Sequence, residues 1–271
     1  MKKDGILLID IGNTNILIGH SYISQNFSEI KSSRFCTNKN STIDDFGVNL
    51  TFLLNTLSIK KETIKSSIIS SVVPEINLTI KKAIQKYINC DVIFTDEIDE
   101  KKIAKIITIN YKNPKEIGAD RIVNSIAAVS LYPYPSIIVD IGTAATIDII
   151  NSKKEYIGGA ILPGIGISVS SLAKMTSKLP KINFESFEPA KNLIGTDTVE
   201  SIQSGVYHGF LGSIKYFKEE LQKRKDLKNA VVILTGGWTD IYKTKTDIFD
   251  INDKDLTLKG LKIIFDELVN T

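Results

Sequence analysis

Two aspartates lie inside apolar, strand-forming segments of the sequence. Asp10 interrupts residues 6–17 and Asp140 interrupts residues 137–149, and each is followed by an isoleucine, a glycine and a nearby threonine. An unpaired carboxylate in such a segment would cost on the order of several kcal/mol unless a cation or several hydrogen-bond donors met it. We therefore expect both carboxylates to face a site.

The residues after each aspartate suit phosphate binding. Gly12 and Gly142 allow a sharp turn that exposes successive backbone N–H groups, and Thr14 and Thr143 add hydroxyl donors. Such a turn suits phosphate oxygens and a hydrated metal ion. Either turn alone is also compatible with an ordinary Asp–Gly hairpin, but two copies favour a clamp for the phosphates of a nucleotide.

A third acid lies near the start of a predicted helix. Pro114 precedes the run Gly118-Ala119-Asp120-Arg121, after which apolar residues recur at helical spacing. The helix dipole favours an anion in the first turn, and the Gly-Ala pair permits close approach of a ligand or of another backbone. The alternative is that the Asp-Arg pair only supplies helix-end charges.

The second half holds further candidates that have more than one interpretation. Thr198 begins a helix predicted to reach about residue 225, and is either a polar site residue or only a first-turn residue. Residues 235–237, Thr-Gly-Gly, form either a platform for a base or ribose or a simple chain reversal. Three glycines in the long helix require close approach of another segment, since each costs roughly 1 kcal/mol relative to alanine. They are Gly205, Gly209 and Gly212.

The segments that must position these residues alternate between strand and helix patterns, so the predicted fold class is α/β. The repeated acidic hairpin implies two related halves, residues 1–115 and 116–271. Residues 96–105 and 178–190 are predicted to be loops. Strands are predicted at 15–22, 68–73, 92–95, 156–162 and 231–234, and helices at 44–57, 75–87, 168–175 and 256–268.

Composition disfavours several classes of function. The 271 residues include 34 Lys and Arg against 31 Asp and Glu, and the lysine pairs are scattered, so no nucleic-acid partner is expected. Cys36 and Cys90 have no zinc or disulfide-framework spacing, and His20 and His208 have no ligand spacing. No apolar run approaches the roughly 20 residues that span a bilayer, so we expect a cytoplasmic protein with no membrane partner.

Together these motifs resemble the type III pantothenate kinases, a family of the acetate and sugar kinase, Hsp70 and actin superfamily. The most specific part is Gly-Ala-Asp-Arg after Asn-Pro, followed at the right distance by the second Asp-x-Gly-Thr. Ala145 departs from the family, which often has threonine there, and removes a hydroxyl near the phosphates. The resemblance rests on residues 10–15, 111–114, 118–121, 140–143, 158–164, 198–205, 234–237 and 256–261.

The resemblance implies two tandem ribonuclease-H-like domains, as in actin-like ATPases, with the nucleotide cleft between them. It implies ATP-dependent phosphorylation of pantothenate to 4'-phosphopantothenate, the first step of coenzyme A biosynthesis, by a homodimer with the pantothenate site at the subunit interface. It also implies Mg²⁺ with ATP and a monovalent cation, K⁺ or NH₄⁺. Because the chain lacks a P-loop motif, a monovalent cation would help to offset the triphosphate charge.

The family match assigns a role to each candidate residue. Asp10 is expected to act on Mg²⁺ through water, Thr143 to contact phosphate from the other half, and Asp140 to coordinate the monovalent cation. Asp120 is the candidate catalytic base for the pantothenate hydroxyl. The expected ATP-binding residues are Thr143 and Asp10, Ile11, Gly12, Asn13, Thr14, Asn15, Ile16 and Leu17. The expected pantothenate-binding residues are Tyr111, Gly118, Ala119, Asp120, Arg121 and Thr198.

Two other classes of function compete with the kinase hypothesis. A non-catalytic ATP-binding regulator of the same fold is disfavoured by the full set of Asp10, Asp120, Arg121 and Asp140. A ribonuclease-H-like nuclease would use the three aspartates as a metal cluster. The lack of a basic surface and the presence of Gly/Thr phosphate turns disfavour the nuclease.

Overall fold

The computed structural model describes residues 4–23, 27, 30–182, 187–244 and 247–269. The chain divides into two compact units, each built on its own sheet. The first unit draws on Met1–Ile107, Asn113–Ser130 and Thr257–Thr271, and the second on Thr108–Lys112 and Leu131–Leu256. No helix in the described ranges is both long enough and apolar enough to cross a membrane.

The first unit contains a five-stranded mixed sheet. Its strands are β1 (Gly5–Ile11), β2 (Asn15–Tyr22), β3 (Lys31–Cys36), β4 (Ile64–Ser71) and β5 (Asp91–Phe94). The order is β3-β2-β1-β4-β5, with antiparallel pairing from β1 to β3 and parallel pairing from β1 to β5 through β4. The return strand predicted at residues 15–22 is confirmed by β2.

The second unit contains a six-stranded sheet. Its strands are β6 (Thr108–Ile109), β7 (Ser136–Ile141), β8 (Ala144–Ile150), β9 (Glu155–Pro163), β10 (Val231–Thr235) and β11 (Ile251–Asn252). The order is β11-β10-β7-β8-β9-β6. Strands β7, β8 and β9 pair antiparallel, while β10 and β11 are parallel to β7. The arrangement of the first sheet is therefore repeated, which confirms the internal repeat inferred from the two acidic hairpins.

Helices connect the strands of both units. The α-helices are α1 (Ile43–Thr56), α2 (Asn77–Tyr87), α3 (Glu100–Ile103), α4 (Ala119–Leu131), α5 (Ile165–Met175), α6 (Thr198–Gln222), α7 (Thr239–Tyr242) and α8 (Leu256–Ile264). Short 3₁₀ helices lie at Lys61–Thr63, Pro74–Ile76, Thr95–Glu97, Pro114–Glu116 and Lys225–Leu227, and a π-helical turn lies at Phe265–Val269.

One predicted loop contains a short helix, and two other predicted segments lie partly outside the described atoms. The loop predicted at 96–105 contains α3, because the Asp99 carboxylate accepts the N–H of Lys101 at 2.9 Å and caps a short helix that has no apolar periodicity. The C-terminal helix predicted at 256–268 is α-helical to Ile264 and continues as the π-helical turn Phe265–Val269, and the Leu268 side chain lies outside the described atoms. Residues 183–186 of the loop predicted at 178–190 also lie outside the described residues.

A single division at residue 115 does not coincide with the two compact units. Helix α4 up to Ser130 groups with the first unit, as does α8 from Thr257 onward. The Thr257 hydroxyl donates to Oδ1 of the buried Asn124 at 2.8 Å, and a Cβ on Gly260 would be 2.3 Å from the carbonyl oxygen of Val123. This tight packing explains why two helices that are distant in sequence belong together.

Each unit has a hydrophobic cluster on one face of its sheet, and further buried apolar residues, such as Leu8 and Ile138, lie on the other face. Ile9 and Ile69 pack with the helices of the first unit, and Val139 and Leu234 pack with those of the second. Because successive residues of a strand point to opposite faces, the residues between these core positions project from the other face of each sheet. This alternation decides where the two acidic residues point.

Candidate functional site

Asp10 is the next-to-last residue of β1 and projects away from the core of the first unit. Its neighbours Ile9 and Ile11 are 0% exposed core residues, whereas Asp10 is half-buried. In the sheet it lies in register with Leu17 of β2 on one side and Ser70 of β4 on the other. The strand pattern therefore places a carboxylate beside a hydroxyl at the end of a parallel strand pair.

The turn after β1 is held by its own backbone and by the residue that follows β3. The Gly12 N–H donates to the Asn15 carbonyl at 3.0 Å. The Thr37 hydroxyl donates to the Gly12 carbonyl at 2.6 Å, and the Thr37 N–H donates to the Thr14 carbonyl at 2.8 Å. Asn13, Thr14 and Asn15 are exposed. Thr37, which the sequence analysis did not select, thus fixes a turn whose tip is open to a ligand.

Two of the predicted ATP-binding residues can contribute only through their backbone. Ile11 and Ile16 are 0% and 2% exposed because both side chains belong to the core of the first unit. Leu17 lies opposite Asp10 and is half-buried. Side-chain chemistry in this segment is therefore confined to Asp10 and the exposed turn.

Asp140 occupies the equivalent position in the second unit. It lies in register with Thr146 of β8 and with Thr235 of β10. The Gly142 N–H donates to the Ala144 carbonyl at 3.0 Å and closes the turn. Asp140 thus has a threonine on each side, whereas one neighbour of Asp10 is a leucine.

The second turn is packed against the glycine that precedes α5. A Cβ on Gly164 would lie 2.4 Å from the carbonyl oxygens of both Gly142 and Thr143, so only glycine fits there without a shift of the backbone. Thr143 itself is exposed. The second turn therefore has the open tip predicted for a phosphate contact, and Gly164 supports it much as Thr37 supports the first turn.

The Thr-Gly-Gly segment begins with the last residue of β10 and folds around the end of β7. Gly236 has a φ of +96°, and a Cβ there would lie 2.3 Å from Oδ1 of Asp140 and 2.7 Å from the Ile141 backbone. The Trp238 N–H donates to the Ile141 carbonyl at 3.2 Å. Both the φ angle and the close approach require glycine, so this segment is a chain reversal that also shapes the surroundings of Asp140.

Asp120 is the second residue of α4, and its carboxylate is held by the start of the helix. Oδ1 accepts the N–H of Arg121 at 2.8 Å, and the Gly118 carbonyl accepts the same N–H at 3.1 Å. Arg121 is only 8% exposed. Asp120 and Arg121 therefore both lie in the first turn of the helix, where Asp120 is half-buried and Arg121 is buried.

The first unit brings the Asp10 turn and the start of α4 to a common neighbour. The Val72 N–H donates to the Ile11 carbonyl at 3.0 Å, which extends the pairing beyond β4. Cγ1 of Val72 lies 3.6 Å from the position of a Cβ on Gly118. The chain after β4 therefore links two motifs that are far apart in sequence.

Tyr111 belongs to the second unit and packs over a glycine. A Cβ on Gly158, whose φ is +109°, would lie 3.3 Å from the Tyr111 ring. The ring centroid of Tyr111 is 6.0 Å from that of the buried Tyr156, whose hydroxyl donates to the fully buried Asp148 at 2.9 Å. The Thr146 hydroxyl donates to the other oxygen of Asp148 at 2.9 Å. Asp148 and Tyr156 were not predicted as site residues, although an acid in a strand was again the available signal.

Thr198 is the first residue of α6, and the helix is capped just before it. The Asp197 carboxylate accepts the Glu200 N–H at 2.9 Å, and Glu200 in turn accepts the N–H and hydroxyl of Thr196. Thr198 lies on the wall of an apolar groove of about 750 Å³ between α5 and α6. The helix is therefore capped by Asp197 and not by the Thr198 hydroxyl. This is compatible with both interpretations of Thr198, as a polar site residue and as an ordinary first-turn residue.

The glycines of α6 face open space within this chain. A Cβ on Gly205, Gly209 or Gly212 would have no heavy atom within 4 Å, leaving aside the helix's own backbone. Gly205 and Gly209 lie on the wall of the groove, and Met175 on the opposite wall is 81% exposed. The close neighbour predicted for this face is therefore not supplied by the described part of the chain itself.

The donor atoms near the two acidic turns suit hard cations. Carboxylate and hydroxyl oxygens are preferred by Mg²⁺ and by alkali cations, and Gly236 leaves the space beside Asp140 free of a side chain. Within residues 4–23, 27, 30–182, 187–244 and 247–269, no three His, Cys, Asp or Glu residues form a group that could hold a metal. This gives no support to the three-carboxylate cluster of the nuclease alternative.

Known proteins are similar in sequence to this chain over most of its length. A family model described as type III pantothenate kinase matches residues 6–220. The type III pantothenate kinase of Finegoldia magna is 44% identical, over 97% of this chain and 98% of its own length. That of Halalkalibacterium halodurans is 38% identical, over 96% of this chain and 98% of its own length.

A solved structure supports the fold. The activator of the 2-hydroxyisocaproyl-CoA dehydratase from Clostridium difficile, with bound ADPNP, has a TM-score of 0.50 and 13% identity, over 98% of this chain and 96% of that one. The predicted α/β class with two related mixed sheets is confirmed. From the family model and the full-length relatives together, the chain belongs to the type III pantothenate kinase family.

Proposed function

We propose that this protein transfers the γ-phosphoryl group of ATP to the primary hydroxyl of pantothenate. The product, 4'-phosphopantothenate, is the first intermediate of coenzyme A biosynthesis. The observation that carries this proposal is the 44% identity to a type III pantothenate kinase over nearly the full length of both chains. The two acidic turns and the start of α4 support it, since each motif forms an ordered, hydrogen-bonded structure. ATP and pantothenate are available in the cytoplasm, which is the proposed location.

ATP is proposed to bind the segment Asp10 to Leu17 together with Thr143. Thr37 takes up the carbonyl oxygens of Gly12 and Thr14, so these electron-rich atoms are bound to protein donors rather than presented to phosphate. The exposed tip then offers amide and hydroxyl donors to phosphate oxygens. Mg²⁺, when bound, neutralises charge on the triphosphate, and Asp10 would hold it through water.

Asp120 is proposed to accept the proton of the pantothenate hydroxyl. Its carboxylate is fixed by the N–H of Arg121, and the positive end of the α4 dipole favours the ionised form that a base requires. In the loose transition state of phosphoryl transfer the proton leaves late, so holding the hydroxyl in line contributes as much as basicity.

Pantothenate is proposed to contact Arg121, Thr198 and Tyr111. Gly118 and Ala119, which shortly precede Arg121 in the sequence, are proposed to contact it as well. The guanidinium of Arg121 matches the pantothenate carboxylate in charge and in its planar donor geometry. Tyr111 is 37% exposed and can close over a ligand while its inner face rests on the backbone of Gly158.

Asp140 is proposed to hold a monovalent cation, K⁺ or NH₄⁺. The Asp140 carboxylate lies between two threonines in register. Gly236, which has no side chain, lies against one of the carboxylate oxygens. A cation bound there adds positive charge near the phosphates, which suits a chain without a P-loop lysine.

A second copy of the chain is proposed to cover the groove between α5 and α6. Ile167 and Leu172, which line the groove, are each 37% exposed, and Met175 on its wall is 81% exposed. The glycines of α6 would let a helix of the partner approach closely. Because Thr198 lies on the same groove, a homodimer would bring the partner next to a proposed pantothenate contact.

The proposal is tested by measuring ADP release from the purified protein with ATP, Mg²⁺ and pantothenate, in potassium and again in sodium. A parallel reaction without pantothenate measures background ATP hydrolysis. We expect release to require both pantothenate and potassium or ammonium. ATP binding without turnover under any cation would instead favour the non-catalytic regulator and remove Asp120 from its catalytic role.

A further inference from the structure

Two buried hydroxyls beside the acidic turns have no hydrogen-bond partner. Ser70 is 0% exposed and Thr235 is 1% exposed, and neither Ser70 Oγ nor Thr235 Oγ1 bonds to any protein atom. A buried hydroxyl without a hydrogen bond is destabilising, because it loses its interactions with water and gains none. Alanine or valine would fill the same space without that penalty.

These hydroxyls occupy the same position in the two repeats. Ser70 lies in register with Asp10 across the parallel pair β1–β4, and Thr235 lies in register with Asp140 across the parallel pair β7–β10. In-register residues on adjacent strands have their Cα atoms about 4.8 Å apart and project from the same face of the sheet. Next to each carboxylate, on the same face of the sheet, there is therefore a hydroxyl that makes no hydrogen bond.

Of the two threonines in register with Asp140, Thr235 is the one whose hydroxyl makes no hydrogen bond. Thr146, on the other side of Asp140, already donates its hydroxyl to Asp148 at 2.9 Å. Oδ1 of Asp140 lies against Gly236, the residue that follows Thr235. The Asp140 carboxylate and Oγ1 of Thr235 thus belong to neighbouring, in-register residues on the same face of the sheet. In the first unit the other neighbour of Asp10 is Leu17, which has no donor, so Ser70 holds the corresponding position.

We propose that Ser70 and Thr235 are positioning residues for the two acids. Each hydroxyl donates a hydrogen bond to the adjacent carboxylate when that carboxylate engages a cation, and so fixes the orientation of the oxygen that faces the cation. This inference rests on the proposed function. Hydrogen bonds to ligating carboxylates commonly change metal affinity by 10- to 100-fold, and the two hydroxyls would do so for different cations: Thr235 for the monovalent ion at Asp140 and Ser70 for Mg²⁺ at Asp10.

The Thr235 assignment is tested with Thr235→Val, which keeps the shape and removes the hydroxyl. The melting temperature is measured with Mg²⁺ and a non-hydrolysable ATP analogue while KCl replaces NaCl at constant ionic strength. We expect the potassium concentration for half-maximal stabilisation to rise at least about tenfold, and the melting temperature without ligands to stay the same or rise. Thr235→Ser, which keeps the hydroxyl, should restore the potassium dependence.

Matched controls are available at the far end of the same faces. Ser136 on β7 and Ser21 on β2 are 0% exposed, and their hydroxyls also lack partners. Ser136 lies four residues before Asp140, about 13 Å along the strand. Ser136→Ala should therefore leave the potassium dependence unchanged, and Ser21→Ala should leave the Mg²⁺ dependence unchanged, whereas Ser70→Ala should raise the Mg²⁺ requirement by a similar factor of about ten.

The outcomes separate this inference from the proposed function. If the wild-type protein shows no potassium-dependent stabilisation or ADP release, the cation part of the proposed function fails. If the wild type responds and Thr235→Val has the same potassium dependence, the positioning role is overturned while the kinase proposal stands. A purely structural role would lower the melting temperature without ligands and leave the ion dependence intact. Should Thr235→Val fail to fold, Thr235→Ala compared with Thr235→Ser provides the same test.

Discussion

Gly118 lies directly against the carboxylate of Asp120, and a Cβ built on Gly118 would be only 2.5 Å from Oδ1. Gly118→Ala should therefore move the carboxylate without removing it. Since a displacement of about 1 Å can reduce turnover about 10²-fold, we expect a loss of that order in kcat for pantothenate phosphorylation. Steady-state kinetics measure the loss, and an unchanged affinity for ATP shows that the fold is intact. Wild-type kcat would mean that the carboxylate position is not critical.

Removing the charge of Asp120 tests its proposed role as the base. Asp120→Asn keeps the shape and can still accept the N–H of Arg121, but it cannot accept a proton. We expect kcat to fall by about 10² to 10⁴, the usual scale for general acid–base catalysis, while ATP binding measured by calorimetry is largely preserved. A variant with nearly wild-type turnover would exclude Asp120 as the base.

Tyr156→Phe tests the support beneath Tyr111. The substitution removes one hydroxyl donor from the fully buried Asp148, and a lost hydrogen bond of this kind costs about 1 to 3 kcal/mol of stability. Because the Tyr156 ring contacts Tyr111, we also expect a higher KM for pantothenate with a smaller change in kcat. Urea unfolding and kinetics measure the two effects. Tyr216→Phe, at a residue 63% exposed, is the control and should change neither.

A charge in the groove between α5 and α6 tests the homodimer. Met175 lies on the wall of the groove and is 81% exposed, so Met175→Asp should not disturb the fold of one chain, but it would place a carboxylate in the proposed apolar interface. We expect the mass measured by light scattering to fall from that of a dimer to that of a monomer. Phe52→Asp on α1 alters a residue of similar exposure, 68%, outside the groove. If both variants keep the wild-type mass, the proposed interface is wrong.

His20 gives the first unit a pH-dependent stability. The ring is 3% exposed, and burial, with a smaller contribution from Lys31 opposite it on β3, lowers the pKa of His20 to about 4. The unfolded chain binds a proton near pH 6.5 while the folded chain does not, so stability is complete above pH 6.5 and falls as the pH decreases towards 4. The slope from this one group is at most about 1.4 kcal/mol per pH unit.

His20→Gln removes the titrating group and should flatten that part of the profile. The free energy of unfolding, obtained from urea titrations at pH 7 and pH 5, should decrease less in the variant than in the wild type. An equal decrease in both proteins would show that carboxylates alone produce the acid sensitivity. Lys31 remains in both proteins, so its charge does not distort the comparison.

Local patterns in the sequence were sufficient to predict the elements that carry the site. The run of apolar residues interrupted by Asp10 and closed by a glycine turn predicts the first hairpin, and β2 spans Asn15–Tyr22 as expected. The helix predicted from residue 44 is observed as α1, and Thr42 caps it because the Thr42 hydroxyl accepts the N–H of Asp45 at 3.2 Å. These features depend on residues a few positions apart, which is the range over which sequence pattern determines backbone structure.

Partners brought by distant segments were not predictable in the same way. Nothing near Asp10 in sequence indicates Ser70 or Thr37, and nothing near Asp140 indicates Gly164, because strand pairing and register set these contacts. The short helix α3 was also missed, since Asp99 caps it without any apolar periodicity.

The sequence alone therefore determined the chemistry: two acidic hairpins, an acid and a base near the start of a helix, and a likeness to one kinase family that the full-length relatives confirm. Only the tertiary structure decided which groups surround each acid and that α4 and α8 belong to the same unit. The physical reason is that side-chain types and their local spacing can be read directly from neighbouring positions in the sequence. Register between strands and packing between helices depend on contacts among segments far apart in the chain.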